Sequence, residues 1–167
     1  MKKIYSSHYV KLYKENFVYK KKKFNNFHRV IFNNAAMVIL EYKNKILITE
    51  QYRRGLKKVT FGFPGGHIKK NEKPINSAKR ELLEETGLRG ESWKFLFSYI
   101  NSGTYNCGYE YIYKAKLANK VSDIKLSNEL ESCHWISKKK LIKKIKAERF
   151  LPSGIIAASL YYIALNN

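Results

Sequence analysis

Short runs of apolar, β-branched and aromatic residues alternate with polar turns along most of this chain, and the pattern predicts a protein rich in β-strands. Near the start, residues 9–13, 17–20 and 30–32 have this character and predict a β-hairpin or meander with a turn at residues 14–16. The lysine run at 20–23 is interpreted as an exposed strand end.

Further apolar runs at residues 35–41 and 45–50 predict two strands joined by a hairpin turn at Lys43 and Asn44. They lead directly into a Gln-Tyr-Arg segment at 51–53. Later runs predict three more strands, at 95–100, 110–117 and 132–136.

A helix is predicted over residues 74–86, because Pro74 suits the first helical position and Gly87 suits a left-handed C-cap. The preceding segment contains Pro64 followed by two glycines, which break regular structure and let the backbone approach a ligand closely. We therefore expect a loop immediately before this helix.

Two helices are predicted near the C-terminus. Ser137 is suited to cap a lysine-rich amphipathic helix that ends near Arg149. Residues 155–165 form an apolar run of eleven, about half of what a membrane span needs, and they predict a buried helix.

The length of 167 residues and the hydrophobic content of 44% suit one domain over 1–167, with an N-terminal β segment at 1–33 and a core at 34–167. Cys107 and Cys133 are too few for a disulfide framework and lack metal-site spacing, which favours a reduced, cytoplasmic setting.

A net charge of +20 is compatible with binding to nucleic acid or to an anionic membrane surface. Most of the positive charge is lysine, not the arginine that bidentate phosphate recognition favours. We favour a solvated lysine surface, so nucleic acid stays possible but is not favoured, and no membrane partner is expected. Such a surface would still attract a polyanionic substrate.

The helix at 74–86 carries three glutamates on one face. At about 100° per residue, Glu81 and Glu85 lie about 40° apart beside an apolar stripe, and Glu84 lies about 60° beyond Glu81. Like charges so placed destabilise a helix unless a cation binds between them. The alternative is that the three glutamates form the solvated face of an ordinary helix. Oxygen ligands without a Cys or His pair favour Mg²⁺, or Mn²⁺, over zinc.

The surrounding spacing resembles the signature of the Nudix hydrolases. The pattern is G, five residues, E, seven residues, R-E-apolar-x-E-E-x-G-apolar, and no specified position departs from it. The nine matching positions are Gly66, Glu72, Arg80, Glu81, Leu82, Glu84, Glu85, Gly87 and Leu88.

The resemblance implies roles for these residues. Arg80 is expected to pair with Glu72 and brace the loop, so that both, like the cap Gly87, are structural. The Gly65 carbonyl, Glu81 and Glu85 are expected to hold metal, and Glu84 to serve a second metal or water activation. The implied fold is an α/β/α sandwich with a mixed central sheet, and the implied assembly is a homodimer.

Family members often carry a further glutamate on a loop before a late strand. Here that loop contains Glu129, the first choice for a base or extra ligand, and Glu131, the second. Both are also readily explained as surface carboxylates.

The segment at 51–53 resembles the Q-Y-R element of the ADP-ribose pyrophosphatase and nucleotide-sugar hydrolase branch. On this interpretation Arg53 binds the diphosphate or ribose and Tyr52 stacks on a base; the alternative is an edge-strand aromatic and a surface arginine.

Three other features bear on the substrate. Ser102 and Gly103 lie where that branch carries a Ser-Pro-Gly loop, and with Gly66 they are candidate substrate contacts. The missing proline favours a broad nucleotide-sugar preference unless Glu110 supplies the acidic residue found after that loop. His67 could contact a phosphate.

The predicted reaction is metal-dependent hydrolysis of a nucleoside diphosphate linked to X, yielding a nucleoside monophosphate and phosphorylated X. Two alternatives remain. One is a Nudix enzyme for dinucleoside polyphosphates, modified nucleoside triphosphates or RNA 5′ ends, and the other is a non-catalytic RNA-binding module.

Overall fold

The computed structural model describes residues 1–104, 108–118, 124–148 and 151–165, which form ten strands and three helices. In chain order the elements are β1 (Lys2–Ser6), β2 (Val10–Tyr19), β3 (Lys22–Phe32), β4 (Ala35–Tyr42), β5 (Lys45–Arg53), β6 (Lys58–Gly62), β7 (Gly65–His67), α1 (Pro74–Thr86), β8 (Gly90–Ile100), β9 (Tyr109–Leu117), β10 (Ser132–Ser137), α2 (Lys138–Ala147) and α3 (Ser153–Leu165).

Seven strands form the central sheet in the order β10-β5-β4-β9-β8, with β6 paired to β5 and β7 paired to β4. The β4–β9 pair is parallel and the others are antiparallel, so the sheet is mixed. Strands β4 and β5 pair only next to their connecting turn, at Glu41 with Ile46 and Tyr42 with Lys45. Beyond these pairs the two strands diverge, and β6 and β7 fill the fork between them.

Helices cover both faces of this sheet because its strands alternate apolar side chains between two cores. On one face, Ala78 and Leu82 of α1 pack with Val38 and Leu40 of β4. On the other face, Ile39 of β4 packs with α2 and α3 through a separate set of buried residues, Leu141, Ile155, Ala158 and Tyr162. The α/β/α sandwich with a mixed sheet is confirmed.

The signals at the ends of α1 also agree with the structure. The helix spans Pro74–Thr86 as predicted, and Gly87 caps it with φ 72°, donating its N–H to the Leu83 carbonyl. The β4–β5 turn lies at Lys43 and Asn44, with φ of 43° and 59°.

The first predicted turn, at residues 14–16, is wrong. Strand β2 runs through that segment, with a register shift between Glu15 and Phe17. Asn16 stays within the strand, and its side chain accepts a hydrogen bond from the Asn26 N–H of the neighbouring strand β3. The chain instead turns inside the lysine run, at residues 20–21, where both φ values are positive.

Two other element ends differ from expectation. Strand β8 begins at Gly90, five residues before the predicted start at Phe95. Helix α2 is capped by Ser137, which accepts a hydrogen bond from the Lys140 N–H, and it ends at Ala147. The end predicted near Arg149 and the Cys107 position lie outside the described residues.

The first three strands form a separate antiparallel sheet, β1-β2-β3, as expected for the N-terminal β segment. The Asn33 side chain donates to the His8 carbonyl at 2.9 Å, which holds the β1–β2 turn against the junction with the central sheet. None of the described helices is long and apolar enough to cross a membrane.

Candidate active site

A cleft of about 1360 Å³ lies at the open end of the β4–β5 fork. It brings together four parts of the chain that are far apart in sequence: the N-terminal sheet, the end of β5 at 51–53, the segment at 65–85, and the loop before β10. The predicted site residues that line it are Tyr52, Arg53, Gly65, Gly66, Arg80, Glu81, Glu84, Glu85, Glu129 and Glu131.

Strand β7 presents its backbone to α1. Pro64 accepts from the Val38 N–H and Ile68 donates to the Asn34 carbonyl, so the intervening Gly65 and His67 direct their backbone groups away from β4. Side chains of α1 contact these groups. Glu85 accepts from the Gly65 N–H at 3.0 Å, and Arg80 donates to the His67 carbonyl at 3.0 Å.

Arg80 ties this loop to the helix. Its Nε and Nη2 donate to the two oxygens of Glu72 at 2.9 and 3.0 Å. This pairing lowers the pKa of Glu72 to about 2 and raises the pKa of Arg80. Glu72 also accepts from the Lys69 N–H at 2.9 Å, which orders the turn before α1. The pair thus has the bracing geometry that the family resemblance implies.

Glu85 is the most deeply buried of the three helix glutamates, with 7% of its surface exposed. Burial, followed by the charges of Glu81 and Glu129, raises its pKa to about 7, against the lowering effects of the Gly65 N–H and the Arg53 charge. Among the ion pairs of the described residues none involves Glu85. A carboxylate so buried favours either a proton or a nearby cation.

The other two glutamates contact Arg80 instead. Its Nη1 donates to Glu81 at 2.6 Å and to Glu84 at 2.9 Å, so this guanidinium relieves part of the like-charge conflict along the helix. Glu81 also lies against Gly66, where an added Cβ would come within 2.7 Å of its carboxylate. A side chain at position 66 would therefore displace Glu81.

The oxygen atoms at this site are the type of ligand that a hard divalent cation prefers. Glu81, Glu84 and Glu85 share one cleft, and the Gly65 carbonyl is not used in pairing with β4. Within the described residues, no three His, Cys, Asp or Glu side chains converge closely enough to coordinate an ion as they stand. To bind a divalent cation, the Glu81 or Glu84 side chain would have to turn away from Arg80.

The loop before β10 is fastened to the end of α1, where helix carbonyls need partners. The Ser127 N–H donates to the Glu85 carbonyl and the Lys125 N–H to the Thr86 carbonyl. This anchoring brings Glu129 and Glu131 to the cleft, and Glu129 is close enough to Glu85 to raise its pKa.

Arg53 points inward at the end of β5. Its Nε is buried without a hydrogen-bond partner among the described residues, and its charge acts on Glu85. Tyr52, half exposed, lies on the wall beside it. An unpartnered buried guanidinium nitrogen is suited to an anionic ligand.

Ser102 and Gly103 follow β8 and are not among the residues that line the cleft. Glu110 is engaged elsewhere, accepting hydrogen bonds from Tyr99 and Asn101. A substrate role for the 102–103 segment stays a prediction.

No site role was predicted for the N-terminal sheet, yet His8, Tyr9, Lys11 and Asn33 form one wall of the cleft. Tyr9 contacts the His67 ring with centroids 5.6 Å apart. No residue spacing or motif in the sequence predicts this wall, because it depends on how the β1–β2 turn packs on the core.

Comparisons with known proteins agree with this architecture. A family model described as NUDIX domain matches residues 31–155. The methanol dehydrogenase activator of Bacillus methanolicus is 31% identical over 129 residues, covering 76% of this chain and 70% of that protein.

Two further relatives are enzymes by name. The ADP-ribose pyrophosphatase of Bacillus subtilis (strain 168) is 24% identical over 102 residues, or 61% of this chain and 54% of that protein. The 8-oxo-dGTP diphosphatase of Buchnera aphidicola subsp. Schizaphis graminum is 39% identical over 64 residues, or 38% and 49%. The chain thus spans about half the length of these two relatives.

A solved structure described as an ADP compounds hydrolase superposes with a TM-score of 0.77 over 98% of this chain and 90% of that one. At 16% identity this similarity concerns the fold.

Proposed function

The chain belongs to the Nudix family of hydrolases, and we propose that it is a Mg²⁺-dependent pyrophosphohydrolase of ADP-ribose or a nucleotide sugar. The bond cleaved is the phosphoanhydride of a nucleoside diphosphate linked to X. Water adds to one phosphorus, and the products are a nucleoside monophosphate and phosphorylated X.

One observation carries this proposal: the three glutamates of α1, Arg53 of β5 and Glu129 of a third segment share a single cleft. A solvated helix face would not need an inward arginine and a distant carboxylate beside it. Lysines on the rim, Lys11, Lys69 and Lys70, give the cleft the positive surroundings that an anionic diphosphate favours.

We infer that Glu81, Glu85 and the Gly65 carbonyl hold the metal and that Glu84 assists. A divalent cation there would neutralise phosphate charge and lower the pKa of a water molecule. Mn²⁺ is an alternative, since the oxygen donor set suits both ions.

The remaining residues act on the substrate directly. Arg53 would donate to a phosphate oxygen through a guanidinium that already has a buried, unpartnered Nε. Tyr52 offers an aromatic surface for a base. Glu129 would accept the proton of the attacking water, with Glu131 as the second choice.

A substrate screen tests the proposal. Purified protein is incubated with ADP-ribose, nucleotide sugars and dinucleoside polyphosphates in Mg²⁺, Mn²⁺ or EDTA, and the products are separated by chromatography. We expect AMP or another nucleoside monophosphate together with a sugar phosphate, and none in EDTA. Turnover that is unaffected by EDTA would contradict the metal assignment.

A second candidate is hydrolysis of a modified nucleoside triphosphate, which is favoured by the 39% identity to an 8-oxo-dGTP diphosphatase. The products distinguish the two, because a triphosphate would yield pyrophosphate and a diphosphate-linked sugar would not. Adding 8-oxo-dGTP to the screen with a pyrophosphate assay decides between them.

We also propose a homodimer. The N-terminal sheet exposes large apolar side chains that include Tyr5, Val18, Tyr19 and Phe32, and contact with a second copy of the chain would remove part of this apolar surface from water. A single monomeric species in sedimentation velocity at micromolar concentration would refute this. The cytoplasmic location also stays a prediction.

A further inference from the structure

A second cavity, of about 660 Å³, lies at the closed end of the β4–β5 hairpin, beside the Lys43-Asn44 turn. The first cleft adjoins Gly66, which pairs with Ala36 at the start of β4, whereas this cavity adjoins Tyr42 at the end of that strand. Six residues of strand separate the two by about 20 Å. The described residues that line the two spaces have none in common.

The cavity collects lysines from three elements that are separate in sequence. Lys43 comes from the turn, Lys114 and Lys116 from β9, and Lys138 from the first residue of α2. Two glutamates also line it, so positive charge is in excess by about the charge of one phosphate monoester.

The acidic group at the floor of the cavity is already compensated. Glu41 accepts from Lys114 at 2.9 Å, and Lys114 also lies over the Tyr162 ring, 5.8 Å from its centroid. Burial and the Glu41 charge raise the pKa of Tyr162. The floor is therefore an ordered, partly buried ion pair, and it does not cancel the charge of Lys43 and Lys116.

At the rim of the cavity, the charges of Lys43 and Lys116 are less compensated by acidic groups than the charge of Lys114. Lys43 Nζ lies over the Tyr42 ring at 5.2 Å, which orders an otherwise flexible side chain. Glu91 is opposite Lys116 in the β8–β9 register, but no ion pair among the described residues involves Lys43 or Lys116.

Helix α2 adds to this field. It starts with three consecutive lysines and has no acidic residue in its first turn, although cations at a helix N-terminus are unfavourable. A bound anion would relieve that repulsion, as it would the crowding of lysines in the cavity.

We propose that this cavity is a second, non-catalytic site for a nucleotide such as ADP, with the phosphates between Lys43, Lys116 and Lys138. Its volume is within the range of small-ligand sites, and the partly exposed Tyr42 supplies aromatic surface for a base. The floor carboxylate of Glu41 suits the hydroxyl or amino groups of a nucleoside. The inference does not depend on the reaction proposed for the first cleft.

The test is an NMR titration of the full-length, ¹⁵N-labelled protein with ADP in EDTA, where no turnover occurs. We expect saturable shifts of the Asn44, Lys116 and Leu117 amides. Lys43→Asn combined with Lys116→Gln should raise the dissociation constant of these shifts about tenfold or more, since charge-assisted contacts are lost. Asn is chosen at position 43 because it tolerates the φ of 43° there.

The matched control is Lys143→Gln with Lys146→Gln, two exposed lysines beyond the first turn of α2 that do not line the cavity. It removes the same net charge and should change the dissociation constant less than about twofold, because distant exposed charges are screened. Equal weakening in both double variants would overturn the proposal in favour of a general field effect. Shifts confined to the Gly65–Gly66 region would also overturn it.

A short single-stranded RNA added to the same sample tests the polynucleotide alternative. We expect ADP to saturate the cavity with the RNA leaving the Asn44 and Lys116 amides unmoved. RNA that displaces ADP from these amides at lower concentration would overturn the assignment to a small nucleotide.

Discussion

Gly66→Ala should separate the chemistry of the first cleft from the stability of the fold. An added Cβ at position 66 would lie 2.7 Å from the Glu81 carboxylate, which must retreat by about 0.7 Å to reach an ordinary contact of about 3.4 Å. That carboxylate is the far end of a flexible side chain, so the strain should be on the order of 1 kcal/mol. The melting temperature should fall by only about 2–4 °C.

Activity should fall much further. Glu81 is a proposed metal ligand, and displacing a catalytic group by about 1 Å costs roughly a hundredfold in rate. We therefore expect kcat for the best substrate to drop about a hundredfold, with weaker Mn²⁺ binding by calorimetry. Turnover is measured by product chromatography, and stability by thermal denaturation of the same preparations.

Two other glycines, Gly55 and Gly65, provide the controls. An added Cβ at Gly55 meets nothing within 4 Å, so Gly55→Ala should match the wild type in both assays. An added Cβ at Gly65 would lie 2.5 Å from the backbone carbonyl of Ala36, so Gly65→Ala should lose stability as well as activity. Near wild-type turnover in Gly66→Ala, or unfolding as severe as in Gly65→Ala, would refute the reasoning.

Four further predictions concern individual side chains. Glu85→Gln should lower kcat at least about a hundredfold by removing a buried charged ligand, with a native circular dichroism spectrum; activity near wild type would remove Glu85 from the site. Glu129→Gln should lower kcat more than Glu131→Gln. The reverse order in steady-state assays would make Glu131 the proposed base. Arg53→Ala should raise KM for a diphosphate substrate about tenfold or more, and an unchanged KM would argue against a phosphate contact. For Glu72, whose pKa falls from 4.5 to about 2 on folding, the ionised form stabilises the protein above pH 4.5 by on the order of 2–3 kcal/mol, and this is lost as the pH falls toward 2. The difference in urea unfolding free energy between wild type and Glu72→Gln should therefore be flat above about pH 5.5 and shrink below pH 4.5; a difference that grows on acidification would contradict the pairing.

Sequence signals predicted the ends of helices and turns correctly where neighbouring residues alone determine the backbone conformation. Pro74 and Gly87 bound α1 at both ends, and the Lys43-Asn44 turn has the positive φ values that its position between two apolar runs requires. The turn expected at residues 14–16 failed for a related reason. Polar residues there suggested a chain reversal, but Asn16 is accommodated inside β2 by a cross-strand hydrogen bond that no local pattern reveals.

The sequence by itself determined the family, the helix that carries Glu81, Glu84 and Glu85, and the kind of chemistry that three glutamates on one face can support. These follow from periodicity and spacing, which are properties of neighbouring residues. Only the tertiary structure decided what surrounds that helix: the fork of β4 and β5 that admits β7, the loop that brings Glu129 to Glu85, and the wall around Tyr9. It also revealed the lysine-lined cavity beside Lys43. Such contacts join residues distant along the chain, and their energies depend on packing and burial, which are defined only once the chain has folded.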